Sequence, residues 1–113
     1  MPFIHVSIST TLSAQQKEKI HTSLGDFMNV LPGKMPEQAL IQISDCCDMY
    51  RRGFTDPLCI VEISLYQMQS FANKSELTKK LSALLQKVCD LKPENLYIKF
   101  NELSVWGVNG VLK

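Results

Sequence analysis

The sequence lacks the features that mark several common functions. Its 113 residues carry a formal net charge of only +1, so no basic surface for nucleic acid or an anionic membrane is indicated. No glycine-rich phosphate loop is present, and His5 and His21 are too isolated to form a charge relay with a serine. No apolar run is long enough to cross a bilayer. Nucleic acid and membrane are therefore not expected as partners, and serine-hydrolase chemistry is not expected either.

The four cysteines do not have the spacing of a metal site. None forms a Cys-x-x-Cys pair and no histidine stands at a ligand spacing, so no metal or other cofactor is expected. The adjacent Cys46 and Cys47 could act as a redox handle, although neighbouring cysteines are hard to bridge and buried thiols are common. No secretory signal is readable before the first strand-like stretch. We therefore expect a cytoplasmic protein with reduced thiols, and a non-classical route of secretion stays open.

What the sequence does contain is an internal repeat. A shift of 57 positions, without a gap, places residues 3–9 on 60–66 and residues 36–44 on 93–101. The apolar positions between these segments also coincide, so one unit occurs twice, in residues 1–56 and 57–113. With 45% hydrophobic and 20% charged residues, the chain suits a single globular domain of 113 residues.

Each copy of the repeat is predicted to form a strand, a helix and a strand. The outer segments alternate with period two, and the middle segment carries one apolar stripe of helical spacing. Ser13 and Gln16 predict a capping box for the first helix, and Asn73 is predicted to cap the second. Crossover connections are right-handed, which makes the two strands of each unit parallel. The fold class is therefore α+β, a two-layer sandwich of a four-stranded mixed sheet with both helices on one face.

The sheet face away from the helices is predicted to be a subunit interface. Its residues are too apolar to lie open to water and too polar for a closed core. They are Phe3, His5, Leu40, Gln42, Ile60, Glu62, Ser64, Tyr66, Tyr97, Lys99 and Asn101. No segment of the repeat is left over to cover this face, so the pattern alone predicts an oligomer.

The chain resembles the tautomerase superfamily, in the branch of macrophage migration inhibitory factor and the dopachrome tautomerases. The resemblance spans the whole chain and is carried by Pro2, the Gly33-Lys34 pair, the Leu-Tyr-Ile of 96–98 and the Trp-Gly-Val-Asn-Gly of 106–110. It implies a homotrimer and a cofactor-independent isomerase that converts enol and keto forms of a small acid such as phenylpyruvate.

The resemblance assigns Pro2 as the catalytic base after removal of Met1. A free secondary amine can take a proton from a carbon beside a carbonyl and return it elsewhere. Burial and a nearby cation, Lys34, would both disfavour the ammonium form and so lower the pKa of the amine. On its own, a proline at position 2 would only start an edge strand, where proline is tolerated.

Three further residues take substrate-binding roles from the resemblance. Lys34 lies where the family binds the substrate carboxylate, although a lysine at a helix C-terminus is also favourable to the helix dipole. Tyr97 matches a tyrosine that reaches the pocket of the adjacent subunit, or it serves as an interface aromatic. Trp106 matches an apolar pocket wall, or it packs in the interface.

Other positions depart from the family pattern. Lys99 replaces a pocket asparagine and, if it points inward, adds a second cation that favours acids. Tyr66 replaces a pocket isoleucine and should narrow or polarise the site. Arg51 and Arg52 form either a solvated loop face or a carboxylate clamp.

Two other functions compete with the enzyme. The first is a signalling or binding protein on the same trimer, with a vestigial pocket. The second is a ferredoxin-like binding module, which shares the order of elements. A metal chaperone of that kind would need a surface Cys-x-x-Cys, which the sequence lacks.

Overall fold

The computed structural model describes residues 2–33, 39–53 and 56–113. Two helices and four long strands alternate in the order that the repeat predicts. The elements are β1 (Phe3–Ile8), α1 (Ala14–Phe27), a 3₁₀ turn (Met28–Val30), β2 (Leu40–Ser44), β3 (Cys59–Tyr66), α2 (Phe71–Cys89), a second 3₁₀ turn (Pro93–Asn95), β4 (Leu96–Leu103), β5 (Gly107–Val108) and β6 (Val111–Leu112).

The four long strands form one mixed sheet in the order β2-β1-β3-β4. Strands β1 and β2 are parallel, as are β3 and β4, whereas β1 and β3 at the centre are antiparallel. Each strand-helix-strand unit therefore contributes one parallel pair, and the predicted fold class is confirmed. Because β4 runs antiparallel to β1, the start of β4 lies at the end of the sheet where β1 finishes.

The core lies between the sheet and the two helices. In β1 and β3 every second side chain is buried, which is the alternation expected of strands that are covered on one face. The fully buried residues with large side chains are Ile4, Val6, Ile8, Ile20, Leu24, Met28, Leu31, Ile63, Leu65, Leu77, Leu81 and Leu85. The Nε2 of Gln16 also donates to the carbonyl of Val88 at 2.9 Å, which links α1 to α2.

The ends of the helices follow local side-chain chemistry. The capping box of Ser13 and Gln16 is present at the start of α1 as predicted. The prediction for α2 is wrong by three residues: Ser70 is the cap, and its hydroxyl accepts from the backbone N–H of Asn73 at 3.1 Å. Helix α2 ends at Cys89, and its C-cap residue Asp90 adopts the left-handed conformation with φ of 54°.

A C-terminal hairpin follows the sheet and was not predicted. Strands β5 and β6 pair antiparallel around Asn109 and Gly110, whose φ angles are +56° and +76°. Two successive positive φ angles are the signature of a two-residue hairpin turn, for which Asn-Gly is the favoured sequence. The backbone N–H of Lys113 closes the hairpin by donating to the carbonyl of Trp106 at 2.8 Å.

The sheet face opposite the helices carries exposed apolar side chains on both edge strands of the single chain. Leu40 is 64% exposed on the edge strand β2, and Tyr97 is 45% exposed on the edge strand β4. No helix in the described part of the chain is both long and apolar enough to cross a membrane.

Candidate active site

Pro2 is buried immediately before the first strand. Its carbonyl accepts a hydrogen bond from the backbone N–H of Leu40 at 2.9 Å, which places it against the start of β2. The next residue, Phe3, pairs with Ser64 of β3, so Pro2 lies level with the last residues of that strand. Within a chain, proline has no backbone N–H and cannot donate a hydrogen bond to a neighbouring strand. The start of a strand is one of the positions where this is tolerated. The structure thus holds Pro2 at one end of the sheet, between β2 and β3.

A cavity of about 420 Å³ lies where β3 and β4 end, which is the end of the sheet that carries Pro2. Tyr66, which is half-buried, contributes to the wall of this cavity. Its register partner on β4, Leu103, contributes as well. The residues that line it are Tyr66, Gln67, Met68, Glu102, Leu103 and Ser104. Of the predicted site residues, Tyr66 is therefore at the Pro2 end of the sheet.

Glu102 is the charged residue in the lining of this cavity, and two hydrogen bonds hold its carboxylate in place. Its Oε1 accepts from the ammonium of Lys74 at 2.8 Å, and its Oε2 accepts from the backbone N–H of Gln69 at 2.7 Å. The hydrogen bond from Lys74, followed by that from Gln69, holds the pKa of the Glu102 carboxyl below its ordinary value. These contacts tie the segment that leads into α2 to the end of β4. No sequence signal marks this pair, because Lys74 and Glu102 are 28 residues apart and belong to no motif.

Tyr97 lies toward the opposite end of the sheet, whereas Lys99 lies near its middle. Tyr97 pairs with Ile60, which pairs with Ser7, five residues along from Pro2. At ~3.3 Å per residue and ~4.8 Å per strand, this separates Tyr97 from Pro2 by about 16 Å along the strands and about 10 Å across them. One chain therefore does not bring Pro2 and Tyr97 together, and a site that uses both needs a second copy.

Lys99 forms an ion pair on the open sheet face. Its ammonium lies 3.4 Å from the carboxylate of Glu62, the residue directly opposite on β3. His5 stands on the other side of Glu62 in the same row, and its Nε2 is 2.9 Å from the hydroxyl of Ser44. Within a single chain Lys99 therefore has a carboxylate partner and does not approach Pro2.

Arg51 contacts the start of β4, where Tyr97 lies. Its Nη1 donates to the carbonyl of Glu94 at 2.9 Å and also to the hydroxyl of Tyr97, while its Nη2 donates to Oδ1 of Asn95 at 2.7 Å. Arg51 is therefore bound to the start of β4 and is not simply part of a solvated loop face, and its role as a carboxylate clamp stays a prediction. Arg52, in contrast, is exposed.

Of the two remaining predicted site residues, only Trp106 belongs to the described part of the chain. Trp106 is half-buried and begins the C-terminal hairpin, three residues after the end of β4. Lys34 lies outside the described residues, as does Met1. The role of Lys34 toward a substrate carboxylate stays a prediction.

The cysteines are free thiols and two of them are buried in the core. Burial, reinforced by Cys89 and Cys47, raises the pKa of the Cys59 thiol to about 12, and burial also raises that of Cys89. A thiol with a raised pKa is a poor nucleophile near neutrality. Cys46 is exposed, and its Sγ lies 2.8 Å from the hydroxyl of Thr11. Within residues 2–33, 39–53 and 56–113, no group of three or more His, Cys, Asp or Glu could hold a metal ion.

Solved structures with the same fold are numerous. MIF2 of Leishmania major is 21% identical, with a TM-score of 0.92 over 100% of this chain and 97% of that chain. A macrophage migration inhibitory factor homologue from Prochlorococcus marinus is 19% identical, with a TM-score of 0.86 over 97% of each chain. Pt0534, solved after inactivation by 2-oxo-3-pentynoate, is 12% identical, with a TM-score of 0.83 over 96% of this chain and 92% of that chain.

These similarities establish the fold of the chain. It is the fold of the macrophage migration inhibitory factor homologues named above, as the resemblance in the sequence predicted. No protein-family model matches the sequence, and no curated protein matches it either.

Proposed function

We propose that this protein is a cofactor-independent tautomerase of the macrophage migration inhibitory factor type. It interconverts the enol and keto forms of a small 2-oxo acid, with phenylpyruvate as the test substrate, and it works as a homotrimer. Pro2 is the general base once Met1 has been removed. The observation that carries this proposal is the burial of Pro2 at the start of β1, at the same end of the sheet as the cavity where β3 and β4 end.

Burial suits an amine that must act as a base near neutral pH. Desolvation penalises the ammonium form, so it lowers the pKa of a buried amine toward the working pH. The carbonyl of Pro2 is held by the N–H of Leu40, which limits the orientation of the ring. A neutral secondary amine at this point can take a proton from the carbon next to the ketone, and the electron pair of that C–H bond moves toward the ketone oxygen. The enolate that results takes up a proton at oxygen, which yields the enol.

A second copy of the chain completes the site. Pro2 and Tyr97 lie toward opposite ends of one sheet, and the open face carries Leu40 and Tyr97 in contact with water. Packing of that face against neighbouring copies would cover the apolar residues and bring the Tyr97 of one chain toward the Pro2 of another. The number of three copies is what the resemblance in the sequence to the macrophage migration inhibitory factor family implies.

A 2-oxo acid is the substrate class that fits the proposed groups. Lys34 is assigned to the substrate carboxylate, and the hydroxyl of Tyr97 to a substrate oxygen. The structural neighbour Pt0534 was inactivated by 2-oxo-3-pentynoate, itself a 2-oxo acid. The same reagent provides a test in this protein, because its alkyne is conjugated to the ketone and accepts a neutral amine.

The experiment combines an activity assay with covalent labelling. Protein whose mass shows a free Pro2 is assayed for phenylpyruvate tautomerisation and then treated with 2-oxo-3-pentynoate. The Pro2 nitrogen should add to the alkyne carbon far from the ketone while its N–H proton moves to the neighbouring carbon, so the N-terminal peptide gains the whole mass of the reagent. Activity should fall in proportion to the label.

Two results would contradict the proposal. Labelling that falls elsewhere in the chain, with full activity retained, removes Pro2 from the mechanism. A trimer that neither isomerises phenylpyruvate nor takes up the label instead favours the binding or signalling protein.

A further inference from the structure

Arg51 is held in a fixed position by three acceptors at the start of β4. The guanidinium donates to the carbonyl of Glu94, to Oδ1 of Asn95 and to the hydroxyl of Tyr97. Asn95 is only 1% exposed, so the arginine is anchored to a side chain that cannot move into solvent. Both hydrogens of Nη1 are used by two of these contacts. Such an arrangement is typical of an arginine that positions another group.

The contact with Arg51 fixes what the hydroxyl of Tyr97 can do. A guanidinium has five N–H donors and no acceptor, so the phenol oxygen must accept in this hydrogen bond. The hydroxyl has one hydrogen, which is then directed away from the arginine toward another acceptor. The cation also lies 5.9 Å from the centre of the Tyr97 ring, within the range of a cation–π interaction. A positive charge on the oxygen's accepting side strengthens the hydroxyl as a donor.

Tyr97 remains accessible to a ligand in the single chain. It is 45% exposed on the open sheet face, whereas Asn95 beneath it is buried. Within residues 2–33, 39–53 and 56–113 the Tyr97 hydroxyl has no acceptor for its own hydrogen, so this hydrogen is available to a group on the face that a second copy would cover. A group with unshared oxygen electrons, such as a carboxylate or a ketone, is the acceptor that suits this donor.

We propose that Arg51 is a positioning residue that makes Tyr97 a strong, one-directional hydrogen-bond donor to a substrate oxygen. This inference rests on the proposed function, and it adds to it a residue from the loop between the two repeats. Since Arg51 and Tyr97 belong to the same chain, the pair acts as a unit in the site of the neighbouring copy. Arg51 does not touch the substrate itself.

The competing explanation is purely structural. Arg51 ties the loop before β3 to the start of β4, which are more than 40 residues apart in sequence. If the role of Arg51 is structural, its loss should lower kcat/KM by the same factor whether or not the hydroxyl of Tyr97 is present. If Arg51 positions that hydroxyl, its loss should no longer lower kcat/KM once the hydroxyl has been removed.

A double-mutant cycle separates the two explanations. Arg51→Gln, Tyr97→Phe and the combined variant are assayed for phenylpyruvate tautomerisation with a confirmed free Pro2. We expect Arg51→Gln to lower kcat/KM about 5- to 20-fold in the presence of the Tyr97 hydroxyl and less than about twofold in the Tyr97→Phe background. Arg51→Lys, which keeps a donor, should recover most of the loss. Arg52→Gln makes the same charge change at the exposed neighbour and should leave kcat/KM unchanged.

Each outcome of the cycle decides the inference. Equal losses from Arg51→Gln in both backgrounds, or no loss in either, overturn it while the proposed function stands. If Arg51→Gln does not fold, the cycle is run with Arg51→Met, which keeps the length of the side chain but removes the donor, and an equal loss of kcat/KM with and without the Tyr97 hydroxyl again overturns the inference. Wild-type protein without tautomerase activity overturns the proposed function and this inference with it.

Discussion

Replacement of Leu40 by alanine should weaken the proposed trimer by a measurable amount. Leu40 lies on the edge strand β2, on the sheet face opposite the helices, and 64% of it is exposed in the isolated chain. The buried part of the side chain contributes to the fold of each subunit. The exposed part can contribute only when a neighbouring copy covers it, so its loss should appear mainly in the assembly.

The size of the effect follows from the area left to bury. Complete burial of a leucine side chain contributes about 1.5–3 kcal/mol, so the exposed 64% of Leu40 leaves about 1–2 kcal/mol to be gained on assembly. Three copies together lose about 3–6 kcal/mol, which is about two to four decades in the association constant of three chains. Because that constant varies with the square of concentration, the midpoint of dissociation should rise by about one to two decades.

Fluorescence-detected sedimentation from micromolar to nanomolar protein measures this midpoint. The wild type should sediment near three times 12.8 kDa at micromolar concentration. Phe71→Ala is the matched control, since Phe71 is 83% exposed but lies at the start of α2 and not on the sheet. A wild type that is monomeric at micromolar concentration would refute the reasoning, as would identical midpoints for Leu40→Ala and the wild type.

Two further predictions concern charged groups. Lys34→Ala should raise KM by about 10- to 150-fold with a smaller change in kcat, because a charge-assisted contact of about 1.5–3 kcal/mol contributes equally to binding of the substrate and of the transition state. Steady-state kinetics measures both constants. An unchanged KM would mean that Lys34 interacts only with the helix dipole and not with the substrate. Glu102→Gln should lower the thermal midpoint near pH 7. The pKa of Glu102 is lower in the folded than in the unfolded chain, so its carboxylate adds to the free energy of unfolding above about pH 4.5, and this contribution is lost as the pH falls. The thermal midpoints of Glu102→Gln and the wild type should therefore converge in acid. A difference that persists unchanged at low pH would mean that the Lys74 contact does not act through the charge.

Much of the fold could be predicted from the sequence, because both copies of the repeat carry the same pattern of apolar residues. The alternation of apolar residues in the segments that form β1 and β3 identified the face of the sheet that lies in the core. The single offset of 57 residues identified which segment of the second copy is equivalent to each segment of the first. The Asn109-Gly110 hairpin was also readable in principle, since Asn-Gly is a strong turn signal. The same two residues also belong to the Trp-Gly-Val-Asn-Gly segment of 106–110 that carries the family resemblance.

The cap of the second helix shows the limit of local signals. Ser70 and Asn73 are both good capping residues, and their spacing of three allows either to start the helix. In the structure Ser70 caps the helix and Asn73 supplies the N–H that it caps. Where two neighbouring residues have similar propensity, tertiary packing decides between them.

The candidate site could be predicted only as a set of residues. Pro2 and Tyr97 were identified by resemblance, but their separation follows from strand direction, which local patterns do not report. The contact of Arg51 with Tyr97 joins residues 46 apart in sequence, and nothing in the loop marks it. Likewise the pairing of Lys99 with Glu62 became visible only with the register of β3 and β4.

The most direct test of the central claim compares two forms of the N-terminus. In a chain that retains Met1, the Pro2 nitrogen is a tertiary amide with essentially no basicity, and nothing else in the protein differs. We expect both forms to assemble alike, and only the form that begins at Pro2 to isomerise phenylpyruvate, with a pH-rate limb near neutrality set by the amine. Intact mass and the tautomerase assay on matched preparations measure this. Equal and substantial activity in both forms would contradict the account, because Pro2 would then not be the base.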